Sequence, residues 1–109
     1  MEKLIIYQKA LKLVSEIYLL IRNNPQLQKD YSLNDQLKRA TISVVLNIAE
    51  GNGRSKKLFQ NYLKIAVGST NETIACLQII NTVYLINTTQ LQHKYTILAK
   101  QITAFSNTF

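Results

Sequence analysis

Apolar residues return at steps of three and four along four separate segments of this chain, and no other feature constrains its fold as strongly. Leu4, Tyr7, Leu11, Val14, Tyr18 and Ile21 form the first seam. An α-helix stacks such positions on one face, whereas a half-buried strand would alternate them. The seam stops at Asn23-Asn24-Pro25, because proline disfavours helical geometry in the residue before it. Residues 24–32 read as a loop, with Ser32 the expected N-cap of the second helix and Asp35 supplying negative charge in its first turn. That helix carries Leu33, Leu37, Ala40, Val44 and Ile48, and Gly51-Asn52-Gly53 ends it. Ser55 is placed to cap the third helix, whose seam is Phe59, Tyr62, Ala66, Thr70, Thr73, Leu77, Ile80 and Tyr84. Gly68 interrupts that helix at about 1 kcal/mol relative to alanine, which predicts a close helix contact there. After a break at Asn87-Thr88-Thr89, the last helix runs on Leu91, Tyr95, Leu98, Ile102 and Phe105.

With three glycines and one proline in 109 residues, the chain lacks the turn residues an all-β protein of this size needs. The expected fold class is all-α: a single domain over residues 1–109, built as an antiparallel up-down-up-down four-helix bundle. The third helix is the longest, so its C-terminal part from about Leu77 should overhang, with the 24–32 loop packed beside it. Two helices carry a second apolar stripe: Ile6, Ala10, Leu13, Ile17 and Leu20 on the first, and Ile42, Val45, Leu46 and Ala49 on the second. One stripe suffices in a lone bundle, and a large exposed apolar face marks an interface. The expectation is a homo-oligomer; the alternative is a wider core.

Several classes fall away. The N-terminal MEKLIIYQ lacks the basic and apolar regions of a signal peptide. The longest uncharged run, Thr73 to His93, is interspersed with Gln, Asn and Thr and is too polar to span a bilayer. The single cysteine, Cys76, allows no internal disulfide and reads as a buried, inert thiol, so the expected compartment is the cytoplasm. His93 is the only histidine, which supports no zinc site. Ser43 and Ser69 have no histidine nearby to act as a base. No enzyme, metal or cofactor is expected.

One polar line is conspicuous on the second helix. At 100° per residue, Gln36, Arg39, Ser43, Asn47, Glu50 and Arg54 share a face that borders the apolar seam. Polar groups in such a place need partners. In an antiparallel hairpin, Ser69 and Glu72 of the third helix lie near Arg39, making an Arg39–Glu72 pair possible, while Glu50 and Arg54 can pair at i and i+4. Arg39, Ser43, Asn47, Glu50, Ser69 and Glu72 read as a structural polar network that sets helix register; a catalytic role for the carboxylates is the rival reading.

The formal charge is +7, which raises the prospect of a polyanionic partner. In this topology the N-terminus, the 52–56 turn and the C-terminus share one end. Lys3, Arg54, Lys56, Lys57 and Lys100 gather there, with Lys9, Lys12 and Lys64 further along. The run GRSKK also opens the third helix, whose N-terminal dipole favours anions. Lys3, Arg54, Lys56, Lys57, Lys64 and Lys100 are therefore the candidate nucleic-acid-binding residues. No aromatic residue interleaves with them in sequence, so base stacking is not expected. An ordinary solvated turn would look the same.

The segments YQKALKL, YSLNDQLKRATISVVLNIAEGNGRS and FQNYLKIAVGSTNE together resemble the four-helix-bundle family of 23S rRNA intervening-sequence proteins. DQLKRA, NIAEG-x-GR and IA-x-GS-x-x-E carry the likeness, which extends to about Tyr84. The resemblance implies a bundle that assembles into a pentameric ring. It also implies kinship with the accessory variability determinants of diversity-generating retroelements, basic barrels that bind nucleic acid and a reverse transcriptase. The functional expectation is a non-enzymatic oligomeric module that binds RNA or DNA through its basic end. The alternative is a protein–protein adaptor, such as an accessory subunit for a reverse transcriptase.

Overall fold

Each of the four seams becomes one long helix in a computed structural model, which describes residues 2–51 and 53–109. The elements are α1 (Glu2–Arg22), α2 (Pro25–Lys29), α3 (Tyr31–Glu50), α4 (Lys56–Tyr84) and α5 (Thr89–Ser106). α1 and α4 each pack between α3 and α5, which closes a bundle of antiparallel neighbours. The register between α3 and α4 is visible in Ser43 meeting Ser69 and Gln36 meeting Glu72. Among the described residues no helix is long and apolar enough to cross a membrane.

The expected 24–32 loop is in fact a fifth, short helix. Pro25 opens it, where a missing N–H costs nothing. Leu27 is fully buried, so this turn closes that end of the core. The Asn24 side-chain amide donates to the Leu20 carbonyl at 2.7 Å, satisfying the end of α1.

The N-cap of α3 is Asp30 rather than Ser32. Asp30 Oδ1 accepts the Leu33 amide at 3.1 Å, and Oδ2 accepts the Tyr84 hydroxyl at 2.6 Å. Those two donors, Tyr84 first, hold the Asp30 carboxyl below its ordinary range. Tyr84 comes from the far end of α4, so the overhang packs on the α2 region as expected.

Ser55 caps α4 as read, its Oγ accepting the Leu58 amide at 3.3 Å. At the other end, Leu85 takes left-handed geometry with φ 56°, a strained choice for a side chain larger than glycine. Thr88 secures the turn that follows. Its buried hydroxyl donates to the Leu77 carbonyl at 2.7 Å, and its amide donates to Asn81 Oδ1 at 3.3 Å. Asn52, read as part of the α3 terminator, lies outside the described residues. Gly51 is buried there, and a methyl group in its place would run into the ring of Phe59. At Gly68 the expected close approach is absent, since an added methyl would meet nothing within 4 Å. The close approach belongs to Gly51.

On α1 the second apolar stripe supplies most of the core, and the first seam contributes Ile21, with Tyr7 and Val14 packed half-buried against it. Ile6, Ala10, Leu13, Ile17 and Ile21 form the buried face, while Leu4, Leu11 and Tyr18 of the seam stay exposed. The seams of the other helices face inward as read: Leu37, Ala40, Val44 and Ile48 on α3; Ala66, Thr70, Thr73, Leu77 and Ile80 on α4; and Tyr95, Leu98 and Ile102 on α5. Cys76 is buried, and burial, followed by the charge of Glu72, pushes its thiol up.

A polar layer crosses this core. The Tyr95 and Thr41 hydroxyls are hydrogen-bonded and fully buried, while Thr70 and Thr73 donate to carbonyls of their own helix at 2.6 and 2.9 Å. Burial pushes the Tyr95 hydroxyl up to about 12, against the opposing hydrogen bond from Thr41. Its ordinary value is 10.0, so the unfolded chain loses this proton first. The stabilisation is complete below pH 10 and drains away as pH rises towards 12, a loss of about 3 kcal/mol across that window. Thermal melts across that range should therefore show a steep fall in Tm, and Tyr95→Phe should make the fall shallower.

Candidate nucleic-acid interface

The polar line of α3 binds its own helix more than its neighbour. The Arg39 side chain is 75% exposed and donates to Asp35 Oδ2 at 2.7 Å, one turn earlier. Glu72 instead accepts from the Gln36 side-chain amide, so the Arg39–Glu72 pair does not form. Glu50 pairs with Arg54 at 2.6 Å as the i, i+4 spacing allows. Asn47 donates to the Ser43 carbonyl at 2.8 Å and to Ser43 Oγ at 3.0 Å. The contacts that cross to α4 are Ser43 with Ser69, at 2.8 Å, and Gln36 with Glu72. Arg39, Asn47 and Glu50 do not tie the two helices together. On a helix facing outward, water and the adjacent turn satisfy such groups without help from α4.

The basic residues divide into distinct regions. Lys56 and Lys57 are exposed in the first turn of α4, Arg54 is exposed in the turn before it, and Lys3 lies in the first turn of α1. Lys64 lines a small groove between α4 and α5 with Val67, Thr103 and Asn107. Lys100 is exposed on α5. Lys9 and Lys12 line a separate groove of about 210 Å³ between α1 and α5, floored by Leu13, Ile97 and Leu98. In that groove Lys94 donates to Glu16 at 2.7 Å. Among the described residues the ion pairs engage Arg39, Arg54 and Lys94; the other ten of the thirteen basic residues, Lys3, Lys56 and Lys57 among them, have no carboxylate partner.

The sequence reading missed the aromatic residues at this end. Phe59 and Phe105 sit far apart in the chain, yet their ring centroids are 5.8 Å apart, edge to face. Phe109 joins both, 5.3 Å from Phe59 and 5.2 Å from Phe105. The Lys3 ammonium stands 6.0 Å from the centre of the Phe59 ring, within cation–π range. The signal was present in the spacing: Phe59 lies one turn after Lys56, and the antiparallel α4–α5 pairing brings the end of α5 to it. That pairing is fixed locally by Gln60, which donates to the Ser106 carbonyl at 3.0 Å.

Chemically, this end offers free ammonium groups, the amides of a helix N-terminus and an aromatic cluster. Among the described residues it offers no set of side chains suited to hold a metal ion.

No curated protein sequence is similar to the chain. A solved structure shares its fold: a crystal structure of a protein of unknown function from the S23 ribosomal protein family of Bacteroides thetaiotaomicron. It matches with a TM-score of 0.87 at 24% identity, over 98% of this chain and 99% of that one. The family model described as 23S rRNA-intervening sequence protein matches residues 2–104. The resemblance carried by DQLKRA, NIAEG-x-GR and IA-x-GS-x-x-E thus extends past Tyr84 into α5, and the chain belongs to the family of 23S rRNA-intervening sequence proteins.

Proposed function

We propose that this protein is a non-enzymatic, oligomeric helical module that binds RNA or DNA through the basic end of its bundle. The observation that carries the reading is Lys3 standing against Phe59 of α4, whose first turn carries Lys56 and Lys57, with none of the three lysines engaged by a carboxylate among the described residues. Unpaired lysines at a helix N-terminus are suited to phosphate groups. Arg54, half engaged by Glu50, is at hand to join them, with Lys64 and Lys100 further up the α4–α5 side. The family's association with ribosomal RNA genes agrees with this choice of ligand.

The test is affinity for a structured RNA measured against salt concentration. Binding should weaken steeply, with a log–log slope near −0.9 for each phosphate neutralised on a duplex. A flat response, or no binding at low salt, overturns the proposal.

The oligomeric part rests on Leu4, Leu11 and Tyr18 of α1 and Leu46 of α3, exposed apolar side chains along one side of the bundle. A second copy is the proposed cover, and a five-fold ring is the assembly that the resemblance implies. A different chain, such as a reverse transcriptase, is the competing cover. Light scattering on the purified protein separates them, because a monomer at micromolar concentration removes self-assembly and leaves the adaptor reading.

A further inference from the structure

We infer that the groove between α1 and α5 is a binding site for a small aromatic carboxylate that carries a hydroxyl group. This site is independent of the nucleic-acid reading and lies along the side of the bundle. Its two walls repeat one pattern. Lys9, Lys12, Leu13 and Glu16 follow one another at i, i+3, i+4 and i+7 on α1. Lys94, Ile97, Leu98 and Gln101 do the same on α5. Positions so spaced share a helix face. The faces meet with the helices antiparallel, Lys94 donating to Glu16 at 2.7 Å. Counting equal steps back along α1 and forward along α5, that register brings Lys9 level with Gln101.

The two ends of the groove differ. At one, Glu16 and Lys94 balance each other. At the other, Lys9 and Lys12 have no carboxylate partner among the described residues, and Gln101 Oε1 is buried without a hydrogen-bond partner. A buried acceptor with no donor has lost its bond to water and gained none in return. Between the polar groups lie the buried Leu13 and Leu98 and the exposed Ile97. These features select the ligand. Two uncompensated lysines suit an anion, the Gln101 carbonyl suits a hydroxyl donor, and the leucine and isoleucine side chains suit an apolar body. Phosphate, free or on a nucleic-acid backbone, meets the first need alone. A dry cavity of about 150 Å³ accepts benzene, so the 210 Å³ of this groove suits one ring with a short acidic arm.

The experiment is an NMR titration of the isotope-labelled protein with meta- and para-hydroxyphenylacetate, which hold the donor at two distances from the charge. Phenylacetate, the neutral para-cresol and inorganic phosphate are the comparisons. The expected result has the better hydroxyphenylacetate shifting amides of both groove faces and binding at least about tenfold more tightly than para-cresol or phosphate. Lys9→Gln with Lys12→Gln, at exposed positions, weakens it about tenfold or more. Arg22→Gln with Lys29→Gln, an equal loss of charge at exposed positions outside the groove, leaves it unchanged. Gln101→Leu removes the orphaned acceptor, melts no lower than the wild type, and brings hydroxyphenylacetate down about three- to tenfold, to the affinity of phenylacetate. Absence of groove shifts at millimolar probe overturns the inference, as does phosphate binding equally well or Lys9→Gln with Lys12→Gln having no effect. A hydroxyl advantage that survives in Gln101→Leu overturns the assignment of the donor to Gln101. Each of these results leaves the basic-end proposal standing.

Discussion

Replacing Ile17 with alanine should destabilise the fold by about 2–5 kcal/mol, while the same truncation at Leu11 should change the stability of the isolated chain by less than about 1 kcal/mol. Both residues are aliphatic and lie on α1, within two turns of each other. Ile17 is 0% exposed and Leu11 is 45% exposed. Removing Ile17 takes apolar atoms out of a closed core and leaves a cavity that a bundle pinned by neighbours on both sides collapses into only partly. Removing Leu11 deletes surface already in contact with water. Denaturant melts of the two variants, at a concentration where the wild type is monomeric, give the comparison directly. Similar losses for both would mean that the seam read first along α1 is the core after all. At higher concentration Leu11→Ala acquires a second readout, because a residue covered by another copy then loses assembly without losing fold.

The second large effect is on binding. The double substitution Lys56→Glu with Lys57→Glu should lower affinity for nucleic acid by more than about 100-fold at low salt and make the salt slope shallower by about two. Two phosphate contacts are lost, and two negative charges now face the polyanion. The fold should persist, since both side chains are exposed. Glutamate in the first turn of α4 also suits the positive end of the helix dipole. Circular dichroism serves as the control. Unchanged affinity in a folded double variant would move the binding surface away from this end. The next test would then be the α1–α5 groove, where Lys9 and Lys12 flank the Lys94–Glu16 pair.

Much of this architecture was legible in the chain because helical periodicity is a local property. The α3, α4 and α5 seams predicted the buried faces, and of the second α3 stripe Val45 is the member that joins the core. Ser55 was legible as a cap because its partner, the Leu58 amide, lies three residues away in the same helix. The Glu50–Arg54 pair was legible for the same reason, at a spacing of four.

What escaped the sequence depended on partners distant in the chain. The α1 stripes obey the same 3.6-residue period, so spacing could not rank them. α3 and α5 did so by packing on the Ile6–Ile17 side. Asp30 caps α3 through the Leu33 amide at the same local spacing as Ser55 and Leu58, but its second partner, Tyr84 from the opposite end of α4, was beyond the reach of any spacing. The short helix α2 was hidden behind a proline that normally signals a break, though proline at a first turn is also a helix opener. The Arg39–Glu72 pair failed because Asp35 lies within reach on Arg39's own helix, and a local partner costs less ordering than a distant one.

The candidate site divides along the same line. The run GRSKK and the charge of +7 are properties of the sequence, and they pointed to the basic end before any fold was known. The aromatic cluster beside it joins the start of α4 to the end of α5, which the antiparallel pairing places together; that the rings touch one another and Lys3 is set by the packing alone. The four long helices, their order and the charge could be read from the residues alone, because each follows from neighbours within a turn or two. Which apolar face of α1 became core, which distant partner holds Asp30 and where phenylalanine meets lysine emerged only on folding, because each depends on the energy of contacts between segments far apart in the chain.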